Sequence, residues 1–178
     1  ASNNGISDCT DAPSKGVFAM GLDNKDLSQY LYDVDQVGVI TADVEASQAN
    51  MKKIFGWDPD KEYQKPFTMK YRGEDVVAEA RFVVYCKHKV EIEFIEPIGE
   101  GKSAWHDFLK MGKSGIHHIR YNVPDFAATR QAFLDAGVDI WIEGKATGPE
   151  GLRFAYFDTL DELGYVIEVI NWHEVEDK

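Results

Sequence analysis

Four polar residues stand inside otherwise apolar, strand-like runs: Gln36 in QVGVI, Glu93 in IEFI, His118 in GIHHI and Glu168 in VIEVI. A carboxylate flanked by Ile, Phe or Val is costly to bury unless it is paired or holds a metal. Strand alternation offers a plainer account of either glutamate alone, because Glu93 faces away from Ile92 and Phe94 and one sheet face can be polar and solvated. His118 alone reads as a hydrogen-bonded imidazole. Taken together the four are a different matter. One amide oxygen, two carboxylates and one imidazole suit a divalent ion such as Zn²⁺, Mn²⁺, Co²⁺ or Ni²⁺, with positions left open for water or substrate oxygens.

The elements that must position them are duplicated. Gln36 and His118 each stand seven residues before an aspartate, Asp43 or Asp125, that opens a helical pattern. The first copy reads as a strand at QVGVIT, a helix at DVEASQANMKKIFG, and strands at PFTMKYR, VVAEARFVVYC and KVEIEFIEP. SAWHDFLKMG is a short connecting helix with Ser103 as N-cap and Gly112 as its stop. The pattern then restarts, with strands at GIHHIRYNV, DIWIEGKA, LRFAYFDT and YVIEVIN and a helix at PDFAATRQAFLDAG. Glu93 and Glu168 fall at matching places in the last strand of each copy. The expected fold is α+β, with tandem βαβββ modules over 33–97 and 115–171 forming a pseudo-twofold half-barrel. Residues 1–32 read as an N-terminal extension without assigned chemistry, and 33–178 as a single domain.

The 178 residues suffice for one sizeable core, and the formal net charge of -12 opposes binding to nucleic acid or an anionic membrane surface. No apolar stretch reaches the roughly 18 residues a membrane-spanning helix needs. Cys9 and Cys86 suggest no disulfide framework, and a cytoplasmic location is the default expectation. In a regular strand His117 must face opposite to His118, so it reads as a residue that either backs the site or lies outside it. Trp105, Trp141, Phe154 and Tyr156 read as core or pocket walls. Arg120, Lys145 and Arg153 are candidates to meet an anionic substrate group, and GKATGPEG is a candidate pocket edge.

With these motifs in place, the chain resembles the vicinal oxygen chelate superfamily, which includes glyoxalase I and methylmalonyl-CoA epimerase, over about residues 33–171. IEFIEPIGEGKSAWHDFLKMGKSGIHHIRYNV and DTLDELGYVIEVIN carry the likeness. The resemblance implies one divalent metal ion (Zn, Co, Ni or Mn) held by Gln36, Glu93, His118 and Glu168. Gln36 departs from the His usual in epimerases, whereas the order Gln, Glu, His, Glu is that of eukaryotic glyoxalase I. The implied activity is a metal-dependent isomerase, epimerase or lyase that removes a proton beside a chelated carbonyl. Glu168 is the implied base, and Glu79 is the nearest candidate for the second base of an epimerase. The implied partners are a small-molecule substrate, such as a CoA or glutathione thioester, and a second copy in a homodimer. Two other readings share the fold: a metal-free binding or resistance protein, and an Fe(II) ring-cleaving dioxygenase, which typically uses two His and one carboxylate.

Overall fold

The structure, a computed structural model, describes residues 26–176. Its strands are β1 (Asp33–Ile40), β2 (Lys61–Tyr71), β3 (Glu74–Tyr85), β4 (Glu91–Ile98), β5 (Gly115–Asn122), β6 (Ile140–Lys145), β7 (Arg153–Phe157) and β8 (Val166–Ile170). Helix α1 (Val44–Phe55) follows β1 and α3 (Phe126–Asp135) follows β5, with α2 (Ala104–Lys110) between the modules. The two βαβββ units are therefore present in the expected order. Three short elements carried no sequence signal: a 3-10 turn at Leu27–Tyr30, α4 (Leu160–Leu163) and α5 (Trp172–Glu176). Most of the expected extension, with Cys9, lies outside the described residues; its last part places Leu27 and Leu31 against the apolar cluster under α3.

The two helices begin alike because their aspartates do the same work. Asp43 accepts a hydrogen bond from Ala46 N at 2.9 Å, and Asp125 from Ala128 N at 2.8 Å, each satisfying a donor that the first helical turn leaves unpaired. Helix α1 ends at Gly56, whose φ of 72° suits a residue without Cβ. Val44 and Met51 of α1 pack on Val83 and Tyr85. On α3, Phe133 stacks on Phe157 with ring centroids 4.0 Å apart. Both helices thus cover the outside of the sheet.

The sheet closes completely, in the order β1-β4-β3-β2-β6-β7-β8-β5. Where the sequence suggested a half-barrel, each module supplies four strands and two seams join them. One seam is antiparallel β1–β5, with Gln36 opposite Arg120, Val37 opposite Ile119 and Gly38 opposite His118. That pairing puts the pseudo-twofold through Val37 and Ile119, so Gln36 corresponds to His118. The other seam, β2–β6, runs from Met69↔Gly144 to Tyr71↔Ile142. Inside lies the largest apolar cluster, with Phe67, Phe82, Trp105, Trp141 and Tyr156. Among the described residues no helix is long and apolar enough to cross a membrane.

Candidate functional site

The barrel brings Gln36 (β1), Glu93 (β4), His118 (β5) and Glu168 (β8) to one place in its interior. They are 1%, 7%, 0% and 5% exposed, so the solvated-face account of the two glutamates does not apply. His118 Nε2 is the hub. It lies 3.1 Å from Glu168 Oε2, 3.3 Å from Gln36 Oε1, 3.4 Å from the Tyr156 hydroxyl and 4.0 Å from Glu93 Oε2.

Local backbone chemistry sets this geometry. Gly38 faces His118 across the seam, and a Cβ built there would lie 1.8 Å from His118 Cε1. The imidazole occupies the space that this glycine leaves. The register also slips between Gly38 and Val39: His118 pairs with Gly38, but Val39 pairs with Ile116, leaving His117 as the extra residue of a β-bulge. Strict alternation would turn His117 away from His118. Instead both are fully buried and their Nδ1 atoms lie 3.1 Å apart, which corrects the expectation that the two side chains face opposite ways and leaves His117 backing the site rather than outside it. The Gln36 amide is oriented by Glu91, whose carboxylate accepts from Nε2 at 3.1 Å and so leaves Oε1 toward His118.

Burial dominates the electrostatics. It pushes Glu93 and Glu168 up to about 8 against the opposing Arg120 charge, and pushes His118 down to about 3. Without a cation both glutamates are therefore held protonated near neutrality beside a neutral imidazole, and a cation that displaced those protons would meet an amide oxygen, two carboxylates and an imidazole nitrogen. Glu168 Oε2 is buried without a hydrogen bond although His118 Nε2 is 3.1 Å away. A cation satisfies such a set, and the mixed N/O donors suit a borderline divalent ion. Among the described residues no three His, Cys, Asp or Glu side chains stand together as a ligand group; Glu93, at 4.0 Å, is farthest from the hub.

A cavity of about 490 Å³, counting its open end, adjoins these groups, with walls that include Tyr63, Phe67, Phe82, Trp105, Phe154 and Tyr156. Ala146 and Thr147 place the GKATGPEG loop at its edge. Trp141 lies in the core, its indole N–H donating to Asp107 at 3.1 Å. Of the three basic candidates, Arg120 lines the cavity, while Lys145 and Arg153 are exposed and absent from its walls. Arg120 donates to Asp35 at 2.6 Å and to Glu91 at 3.1 Å. The sequence reading missed Asp35 and Glu91, although Glu91 stands two residues from Glu93 on the same strand face.

Glu79 is placed elsewhere. Ala78, Ala80 and Phe82 of β3 point inward, so alternation turns Glu79 to the outer face, where it accepts a hydrogen bond from Gln64 at 2.7 Å. Among the described residues the carboxyl groups lining the aromatic cavity are those of Glu93 and Glu168.

The family model of the Glyoxalase/Bleomycin resistance protein/Dioxygenase superfamily matches residues 35–156. An ethylmalonyl-CoA/methylmalonyl-CoA epimerase from Cereibacter sphaeroides is 26% identical over 137 residues, covering 76% of this chain and 95% of that protein. Among solved structures, a single-substitution variant of Streptomyces coelicolor methylmalonyl-CoA epimerase in complex with 2-nitronate-propionyl-CoA matches with a TM-score of 0.58 at 19% identity, covering 82% of this chain and 97% of that one. Methylmalonyl-CoA epimerase from Mycobacterium tuberculosis matches with a TM-score of 0.56 at 19% identity, covering 87% and 92%. At these identities the structural matches speak for the fold.

Proposed function

Because this chain belongs to the Glyoxalase/Bleomycin resistance protein/Dioxygenase superfamily, we propose that it is an epimerase-like enzyme that moves a proton on the carbon beside a thioester carbonyl. The substrate class is an acyl-CoA, and the catalytic unit is one domain over 33–178 built from modules 33–97 and 115–171. The observation that carries this reading is the convergence of Gln36, Glu93, His118 and Glu168 beside an aromatic cavity. The epimerase from Cereibacter sphaeroides, similar along nearly its whole length, supports the substrate class.

Those four side chains are the proposed ligands of one divalent ion, of the Zn, Co, Ni or Mn group. When bound, such an ion supplies Lewis-acid stabilisation of the negative charge developing on a carbonyl oxygen. Glu168 takes the proton from carbon. In the metal-free barrel burial raises its carboxyl, and beside a bound cation it is held as the anion that can accept a proton. Register fixes its place, since Arg120 of β5 and Tyr156 of β7 stand opposite it. The aromatic walls exclude water from the reacting carbon.

A one-base isomerisation of the glyoxalase I type is the second reading. The position of Glu79 outside the barrel favours it, because inversion at carbon needs a proton donor on the opposite face of the substrate and, among the described residues, the aromatic cavity offers no third carboxylate. Metal analysis after chelator-free purification, followed by methylmalonyl-CoA turnover in D₂O, separates the readings. Deuterium uptake with inversion, lost in Glu168→Gln, supports the epimerase. Hemithioacetal isomerisation without inversion supports the second reading. Protein that binds no divalent ion and exchanges no proton fits neither.

A further inference from the structure

Inversion at carbon needs a proton donor on the face of the substrate away from Glu168, and the donor need not be a carboxylate. Besides the two glutamates, the described residues that line the aromatic cavity include two phenols, Tyr63 and Tyr156. Their strands set them apart. Tyr156 of β7 pairs directly with Glu168 and so belongs to the same wall, and its hydroxyl already lies 3.4 Å from His118 Nε2. Tyr63 belongs to β2, which the closed strand order separates from β8 by β6 and β7 on one side and by β3, β4, β1 and β5 on the other. A side chain on β2 therefore reaches the cavity from nearly across the barrel. Glu93 does not, because it and Glu168 both lie within 4.0 Å of His118 Nε2 and meet a substrate from one cluster.

Register turns Tyr63 inward. It pairs with Phe82 of β3, and residues paired across antiparallel strands share a face. The two rings lie 5.0 Å apart with their planes 11° from parallel, packed against the interior cluster. That stack holds the ring in place, while the hydroxyl makes no hydrogen bond among the described residues. Tyr63 also lines a second, more polar cavity of about 950 Å³, counting its open face, which shares Tyr63, Glu93 and Arg120 with the first. The phenol thus stands where the aromatic cavity meets a route to solvent. A phenol holds its proton near neutral pH; burial raises Tyr63 further, and the Arg120 charge opposes that rise and offsets a phenolate.

We propose that Tyr63 is the second proton-transfer group of the site, giving hydrogen to the face of the substrate carbon opposite the one from which Glu168 removes it. The Glu168 carboxylate takes the proton as the C–H bond breaks, and the electron pair passes into the enolate. That pair then returns to carbon and forms a new C–H bond with the hydroxyl hydrogen of Tyr63. Glu168 is left as the acid and Tyr63 as the phenolate, and proton exchange with solvent through the polar cavity restores both. From the other enantiomer the same steps run in reverse. The assignment rests on the epimerase reading.

One enantiomer of methylmalonyl-CoA, incubated in D₂O with the full chain, separates exchange at carbon, read by mass spectrometry, from inversion, read by circular dichroism. Wild-type protein is expected to invert the substrate and to place solvent deuterium in the inverted product. Tyr63→Phe keeps the ring on Phe82 and deletes the hydroxyl. It is expected to exchange the proton that faces Glu168 with retained configuration, while inversion falls about 100-fold or more. Inversion at the wild-type rate in Tyr63→Phe overturns the assignment, and so does a folded variant that loses exchange and inversion together. If that variant fails to fold, wild-type protein decides: inverted product that keeps the substrate's own hydrogen overturns the assignment, and solvent deuterium supports it. Wild-type protein that neither exchanges nor inverts removes the epimerase reading and this assignment with it.

Discussion

Glu93 and Glu168 are raised by burial to about 8 from an ordinary 4.5, while burial lowers His118 to about 3 from 6.5. In chelator-treated protein these shifts act in opposite senses over overlapping pH windows. Between pH 4.5 and about 8 the unfolded chain has ionised its glutamates while the folded barrel retains their protons, so their contribution to stability is lost as pH rises through about 8. Between pH 6.5 and about 3 the unfolded histidine is protonated while the folded one is not, so its contribution is lost as pH falls toward 3; where the windows overlap the two glutamates outweigh the one histidine, and stability is highest near pH 4.5. Thermal melting of metal-free protein is expected to show this two-sided profile, with a melting temperature lower at pH 9 than at pH 6. Excess Zn²⁺ is expected to flatten the alkaline side, because a bound cation stabilises both carboxylates as anions. Gly38 carries a second prediction. A methyl group in Gly38→Ala would overlap the His118 ring, and the displaced imidazole is expected to weaken divalent-metal binding more than about tenfold, since disturbing even an outer partner of a ligand costs that much. Calorimetric titration with Zn²⁺ reads it, and unchanged affinity would mean that His118 is not a ligand.

At the scale of elements, the duplicated helix caps are legible in the sequence and separable from the chemistry. Asp43→Ala and Asp125→Ala each remove a side-chain acceptor from a helix start, and each is expected to cost about 1 kcal/mol in urea denaturation. The two caps share no partner, so the double variant is expected to show the sum, with metal content unchanged. The strands were legible for the same reason: short apolar runs recur in the same order in both copies. The β-bulge was not. GIHHIRYN has the composition of an ordinary strand, and nothing in it says that Val39 will pair with Ile116 rather than His117. A bulge is a property of two strands in register, so a reading of one strand turns His117 to the wrong face.

At the scale of the whole molecule, the candidate site belongs to neither module. Gln36 and Glu93 come from the first and His118 and Glu168 from the second, and they meet because the β1–β5 seam puts Gly38 opposite His118. Separately expressed halves, 26–113 and 114–178, are each expected to bind Zn²⁺ far more weakly than the intact chain, with binding recovered on mixing if the halves reassemble. Calorimetry on the halves and the mixture checks this, and a single half that binds as tightly as the whole would contradict the shared site. The sequence by itself determined the two βαβββ units, the capping aspartates and the four polar residues, because repeats, periodicity and residue types are local properties written along the chain. Tertiary structure alone decided that the sheet closes into a barrel, that Glu79 faces outward beside Gln64 while Arg120 faces the cavity, and that His117 turns inward. Those outcomes depend on register across seams between strands distant in sequence, and a one-residue slip reverses which side of a strand is inside.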